Sequence, residues 1–103
     1  MDGPIISFDV SKGSSHMRGF LDHGKPAGKA TVIRHDLEGF AKLDALRGRI
    51  REETGSDPVA VYEFTGVYSH TLERYLDSIG MRRYGFSAGI RKGQKGDDPA
   101  DQE

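Results

Sequence analysis

Four carboxylates in this 103-residue chain fall where chemistry could be done. Asp9 comes at the end of the apolar stretch Ile5-Ile6-Ser7-Phe8, and Glu63 closes Val59-Ala60-Val61-Tyr62. Asp98 and Asp101 lie three apart, which on a helix places both on one face. Oxygen donors of this type suit hard cations such as Mg²⁺ or Mn²⁺. Bringing them together without a cation is unfavourable, since two carboxylates about 4 Å apart repel by roughly 4 kcal/mol at an effective dielectric of about 20. Two divalent ions would offset that charge. In phosphodiester cleavage they would also activate the attacking oxygen and stabilise the leaving one. Plainer roles stand beside this one: a strand-end acid can cap a helix or sit solvated in a loop, and Asp98 can cap a turn before Pro99.

Whether the acids meet depends on the elements that carry them. Residues 5–10 read as a buried strand, with a turn at 11–15 and two further strands over 16–21 and 29–34. The turn formers of 22–28 separate the last two, which suggests an antiparallel meander. Asp36 is a helix N-cap, Leu37, Phe40, Leu43, Leu46 and Ile50 form one apolar face, and Gly55 is the stop. Residues 59–63 are the fourth strand. Thr65 is placed to cap a second helix with the face Tyr68, Leu72, Tyr75, Leu76 and Ile79, ended by Gly80. A weaker strand covers 82–86, and 88–103 has too few apolar residues to be held firmly. The order βββαβαβ implies an α/β fold with a mixed sheet and helices on its faces. If the strands bearing Asp9 and Glu63 are parallel neighbours, both acids reach the sheet edge at which such folds bind ligands.

Composition sets the outer limits. The length fits one domain with one modest core. Fifteen Lys and Arg against 16 Asp and Glu give a net charge of -1, so global charge does not announce a nucleic-acid binder. No apolar run is long enough to span a membrane, and MDGPIISFDV carries no signal-peptide pattern. The absence of cysteine excludes disulfides and thiolate metal sites and fits a cytoplasmic setting.

Together, Asp9-Val10-Ser11-Lys12, Glu63-Phe64-Thr65-Gly66-Val67-Tyr68 and Asp98-Pro99-Ala100-Asp101 resemble the N-terminal domain of DEDD-type bacterial insertion-sequence transposases, relatives of the Piv DNA invertases. The resemblance runs from Ile5 to Asp101. It implies a RuvC-like, ribonuclease-H-type catalytic domain over 3–87 and a flexible tail over 88–103 that carries the last acidic motif. It also implies that Asp9, Glu63, Asp98 and Asp101 are catalytic ligands for Mg²⁺ or Mn²⁺, acting in DNA cleavage and strand transfer. DNA, a guide RNA and homo-oligomers are the partners implied, with no membrane. Family members usually show K-T-D-x-x-D-A at the last motif. Here Lys95-Gly96-Asp97-Asp98-Pro99-Ala100-Asp101 lacks the threonine, so Asp97 and Asp98 both remain candidates for the third acid. Family members also continue into a serine-bearing C-terminal domain, so the chain reads as an excised domain.

Two other function classes remain in view: an ATP-binding domain of the actin and sugar-kinase type, and a non-catalytic interaction module. The first wants glycine soon after the strand-end acid, where Val10-Ser11-Lys12 stand instead. Gly19 to Lys25 has phosphate-loop spacing, but Pro26 replaces Ser or Thr and no helix is expected there. His16, His23, His35 and His70 lack metal-ligand spacing and read as surface or loop histidines. The segment Gly13-Ser14-Ser15-His16-Met17 looks like a tag scar, yet it lies inside the first hairpin and is taken as native.

Overall fold

A computed structural model describes residues 3–22 and 24–87. Its first element, β1 (Ile5–Ser11), turns through Lys12 and Gly13 into β2 (Ser14–Asp22). Gly13 takes a left-handed φ of 74°, a conformation that favours glycine in a two-residue hairpin turn. Then come β3 (Lys25–Pro26), β4 (Thr31–Arg34), α1 (Leu37–Thr54), β5 (Val59–Glu63), α2 (Val67–Ser78) and β6 (Arg83–Phe86). The sheet runs β3-β2-β1-β5-β6, with β4 also pairing to β2. β1 is central, antiparallel to β2 and parallel to β5, and β5 is parallel to β6. This is a mixed α/β fold.

The expected third strand, 29–34, forms as β4, and the expected turn 22–28 holds a further two-residue strand, β3. β3 pairs with the far end of β2 and β4 with its near end. Proline at 26 cannot donate to a ladder, and the chain leaves the sheet through Gly28 at φ 94° before β4 begins.

Alternation along β1 sends Ile6, Phe8 and Val10 to one face, where they join Met17, Ile33, Ala60 and Tyr62 in the core. Both helices pack on that same face, whereas the sequence suggested helices on both. α1 lays Leu46 and Ile50 over Gly19, where an added Cβ would meet Ile50 at 2.9 Å. α2 contributes Leu72 and Leu76, and Tyr75 stacks on Phe40 of α1 with ring centroids 4.1 Å apart. Among the described residues no element covers the other face, which carries Ile5, Ser7, Asp9, Phe20, Arg18, His16, Val61, Glu63, Tyr84 and Phe86.

The α1 caps follow expectation. Asp36 Oδ1 accepts from the Gly39 amide at 2.9 Å, and Gly55 ends the helix at φ 75°. Leu37 departs from the expected face, at 88% exposed, because the buried stripe is Gly39, Phe40, Leu43 and Ile50. In α2 the buried stripe is Ser69, Leu72 and Leu76, one position out of phase with Tyr68, which is 45% exposed rather than in the core. Ser69 tolerates burial because its hydroxyl donates to the Gly66 carbonyl at 3.0 Å. Thr65 is not the helix cap. Gly66 holds that position with no side-chain cap bond. No helix among the described residues is long and apolar enough to cross a membrane.

Candidate active site

β1 and β5 run parallel with Phe8 opposite Tyr62, so one residue further along Asp9, two residues short of the end of β1, comes level with Glu63, the last residue of β5. Strand alternation places both on the face that carries no helix. Both side chains are exposed, and they line one cleft of about 520 Å³ with Ser7, His16, Arg18 and Phe86. The shared edge and face follow from two facts: apolar strands of similar length, and β1 at the centre of the sheet.

His16 and Arg18 also belong to this cleft, and their residue types alone did not announce it. The signal that could have found them is the turn. A two-residue turn at Lys12–Gly13 fixes the hairpin register, which sets His16 opposite Asp9 and Arg18 opposite Ser7. The Arg18 guanidinium lies 5.7 Å from the centre of the Phe20 ring, a cation–π contact made while Arg18 lines the same cleft as the acids.

Beyond Glu63 the chain turns through Phe64, Thr65 and Gly66 into α2. The Thr65 hydroxyl is buried and has no hydrogen-bond partner among the described residues, an arrangement that costs about 1–3 kcal/mol. Gly66 takes φ 64° at the turn. The first amides of α2 thus start just past the acidic edge without a side-chain cap.

Behind the cleft, on the core face, Tyr62 anchors β5 to α2. Its hydroxyl donates to Glu73 Oε2 at 2.6 Å and accepts from Arg83 Nη1 at 2.8 Å. Burial, reinforced by the bond to Glu73, pushes the Tyr62 phenol up to about 12. Arg83 is held further by Asp77 at 2.8 Å. This network fixes β5 and β6 against α2, and so fixes the strand end from which Glu63 projects.

The donor chemistry of Asp9 and Glu63 fits a hard divalent cation. The number of donors is smaller than a closed site needs, because no group of three or more His, Asp or Glu side chains able to hold a metal forms among the described residues. Asp97, Asp98 and Asp101 lie outside the described residues. No family model, curated protein or solved structure matches this chain. What stands is a mixed α/β domain with two acids, a cation and a histidine gathered at one strand edge.

Proposed function

We propose that the chain is the catalytic domain of a metal-dependent DNA transposase or site-specific recombinase, with a RuvC-like, ribonuclease-H-type fold. The observation that carries this is that Asp9 and Glu63 come level on adjacent parallel strands and open into one cleft. A central β1 antiparallel to β2 and parallel to β5 supports the fold assignment. In this reading Asp9 and Glu63 hold Mg²⁺ or Mn²⁺, with Asp101 and either Asp97 or Asp98 completing the acidic set. The metal, when bound, supplies activation of the attacking oxygen and stabilisation of the leaving oxygen.

The remaining work belongs to the chain. Arg18 offsets part of the carboxylate charge and receives a phosphate oxygen. The uncapped α2 amides, past Gly66, offer further donors to an anion. The Thr65 hydroxyl is a spare hydrogen-bonding group at the same turn. The Tyr62–Glu73–Arg83 network keeps the Glu63 strand end from shifting.

The direct test is Mn²⁺ titration of the chain, followed by electron paramagnetic resonance and by the shift in melting temperature. Binding that raises the melting point, and that Asp9→Asn or Glu63→Gln removes, supports the proposal. A ligand at one hundred times its Kd stabilises by about 2.7 kcal/mol, which is easily read. No binding at millimolar Mn²⁺, or binding that both substitutions leave intact, would remove its basis.

A further inference from the structure

A second cleft, of about 340 Å³, lies between α1 and the chain linking β3 to β4. Three cations rim it: Lys29 from the linking chain, and Lys42 and Arg49 from α1. Among the described residues no acidic side chain lines it.

All three cations are exposed, and none makes an ion pair among the described residues. That sets them apart from Arg34, Arg47, Arg51 and Arg83, each of which pairs with Asp or Glu. Glu38 and Glu53 stand one helical turn from Lys42 and Arg49, at spacings that usually invite pairing, yet neither pairs. Lys12, Arg74 and Arg82 are likewise exposed and without an ion pair among the described residues; what marks this cleft is that three such cations line it together.

Its shape agrees. Ala27, Gly28 and Ala45 form low walls, so a ligand backbone can approach the three charges closely. Gly28 brings the linking chain beside Arg49, whose Nη2 would be 3.4 Å from a Cβ at that position. Lys42 and Arg49 are seven residues apart on one helix, a rise of about 10 Å. The cations are thus spread along the cleft, as suits an extended polyanion with repeated charges.

We infer that the cleft rimmed by Lys29, Lys42 and Arg49 binds the phosphate backbone of a nucleic acid. The choice of nucleic acid among polyanions rests on the DNA-processing function proposed above. The site itself rests on charge and shape. α1 packs on the face of the sheet opposite Asp9 and Glu63, so the backbone held here is a different stretch from the one at the acidic cleft. Binding therefore needs no metal.

The test is fluorescence anisotropy of a labelled 20-base-pair duplex with the chain in EDTA, at salt from about 0.05 to 0.3 M. Each lost phosphate contact lowers the slope of log K against log salt by about 0.9. Lys42→Gln with Arg49→Gln is expected to reduce the slope by about two and the affinity at least about tenfold at about 0.1 M salt. Arg74→Gln with Arg82→Gln makes the same charge change on exposed residues outside the cleft and is expected to leave the slope unchanged. All four side chains are exposed, so both doubles should keep the wild-type melting temperature. Should the first double melt early, Arg49→Gln alone carries the test with a slope change of about one. Equal loss in the two doubles, or no loss in the first, overturns the site. Polyglutamate that competes as well as DNA at equal charge overturns the nucleic-acid assignment. Duplex binding is read in EDTA and the metal proposal by Mn²⁺ titration, so failure of the one and failure of the other are read separately.

Discussion

Asp9 and His16 face each other across the β1–β2 ladder, at the level where Glu63 ends β5 on the other side of β1. One turn and one strand order produce that arrangement. The Lys12–Gly13 turn sets the antiparallel register, and the α1 crossover returns the chain parallel to β1. A one-residue slip in the hairpin would send His16 and Arg18 to the core face. Ser15, fully buried, and Met17, 3% exposed, resist that slip. The segment that looked like a tag scar is therefore part of the folded hairpin.

Arg18 is the one permanent cation lining the acidic cleft among the described residues. If the proposed function holds, Arg18→Gln should weaken substrate more than it slows chemistry, raising KM several-fold with a smaller change in kcat. Because the side chain is exposed, stability should change by less than about 0.5 kcal/mol. Plasmid recombination with the full-length protein, with urea melts of this domain, would check both. A lower kcat at constant KM would place Arg18 in the chemical step instead.

Two glycines of α1 should respond to alanine in opposite directions. Helix propensity favours alanine by up to about 1 kcal/mol in a helix interior. At Gly48 an added Cβ meets nothing within 4 Å, so Gly48→Ala should stabilise by about 0.5–1 kcal/mol. At Gly39 it would collide with the Arg34 carbonyl oxygen. Backbone cannot yield as a flexible side chain can, so this overpacking outweighs propensity and Gly39→Ala should lose about 2 kcal/mol or more. Urea denaturation of both variants decides it. Equal stability would mean that the β4–α1 turn adjusts freely.

Stability should fall with pH in two separate windows. His35 Nε2 lies 2.8 Å from the buried Ser15 hydroxyl. Burial lowers its pKa, with Asp36 opposing. The folded state therefore binds a proton less readily than the unfolded chain. Its stability is complete above the unfolded value near 6.5 and declines as pH falls from there towards the lowered folded value. Asp57 behaves as a carboxylate: its bond to Arg47 at 2.7 Å lowers its pKa, so its contribution is lost only below about 3.8. His35→Gln should flatten the melting temperature between about pH 7 and 5 and leave the acid limb in place. An unchanged profile in the upper window would show that His35 does not govern it.

The strands were legible wherever apolar residues alternate or run together, as in Ile5 to Val10 and Val59 to Tyr62. Both α1 caps were legible because Asp36 and Gly55 act locally. Phase within a helix was less so. Tyr68 and Leu37 have the right chemistry for a core, but which stripe is buried is decided by what lies opposite, and Ser69 and Gly39 fit more closely there. The acids could be located from strand ends alone. Their neighbours His16 and Arg18 required the hairpin register, and the grouping of both helices on one face required tertiary packing that no local pattern encodes.

The sharpest consequence concerns Asp9. Its side chain is exposed and makes no hydrogen bond or ion pair among the described residues, so Asp9→Asn, nearly equal in volume, should leave the melting temperature of the domain within a few degrees of wild type. If the carboxylate holds a divalent ion and the chain is, as proposed, the catalytic domain of a transposase, the same change removes a ligand charge and should abolish plasmid cleavage by that transposase in Mg²⁺ or Mn²⁺. Glu63→Gln should do likewise, because it supplies the other acid at the same level of the sheet. The 103-residue chain by itself should cut poorly, since the two acids form no larger metal-holding group among the described residues and a net charge of -1 attracts phosphate weakly. Near-wild-type recombination by Asp9→Asn would contradict the metal mechanism. Efficient metal-dependent cleavage by the chain alone would show instead that what it carries is already sufficient.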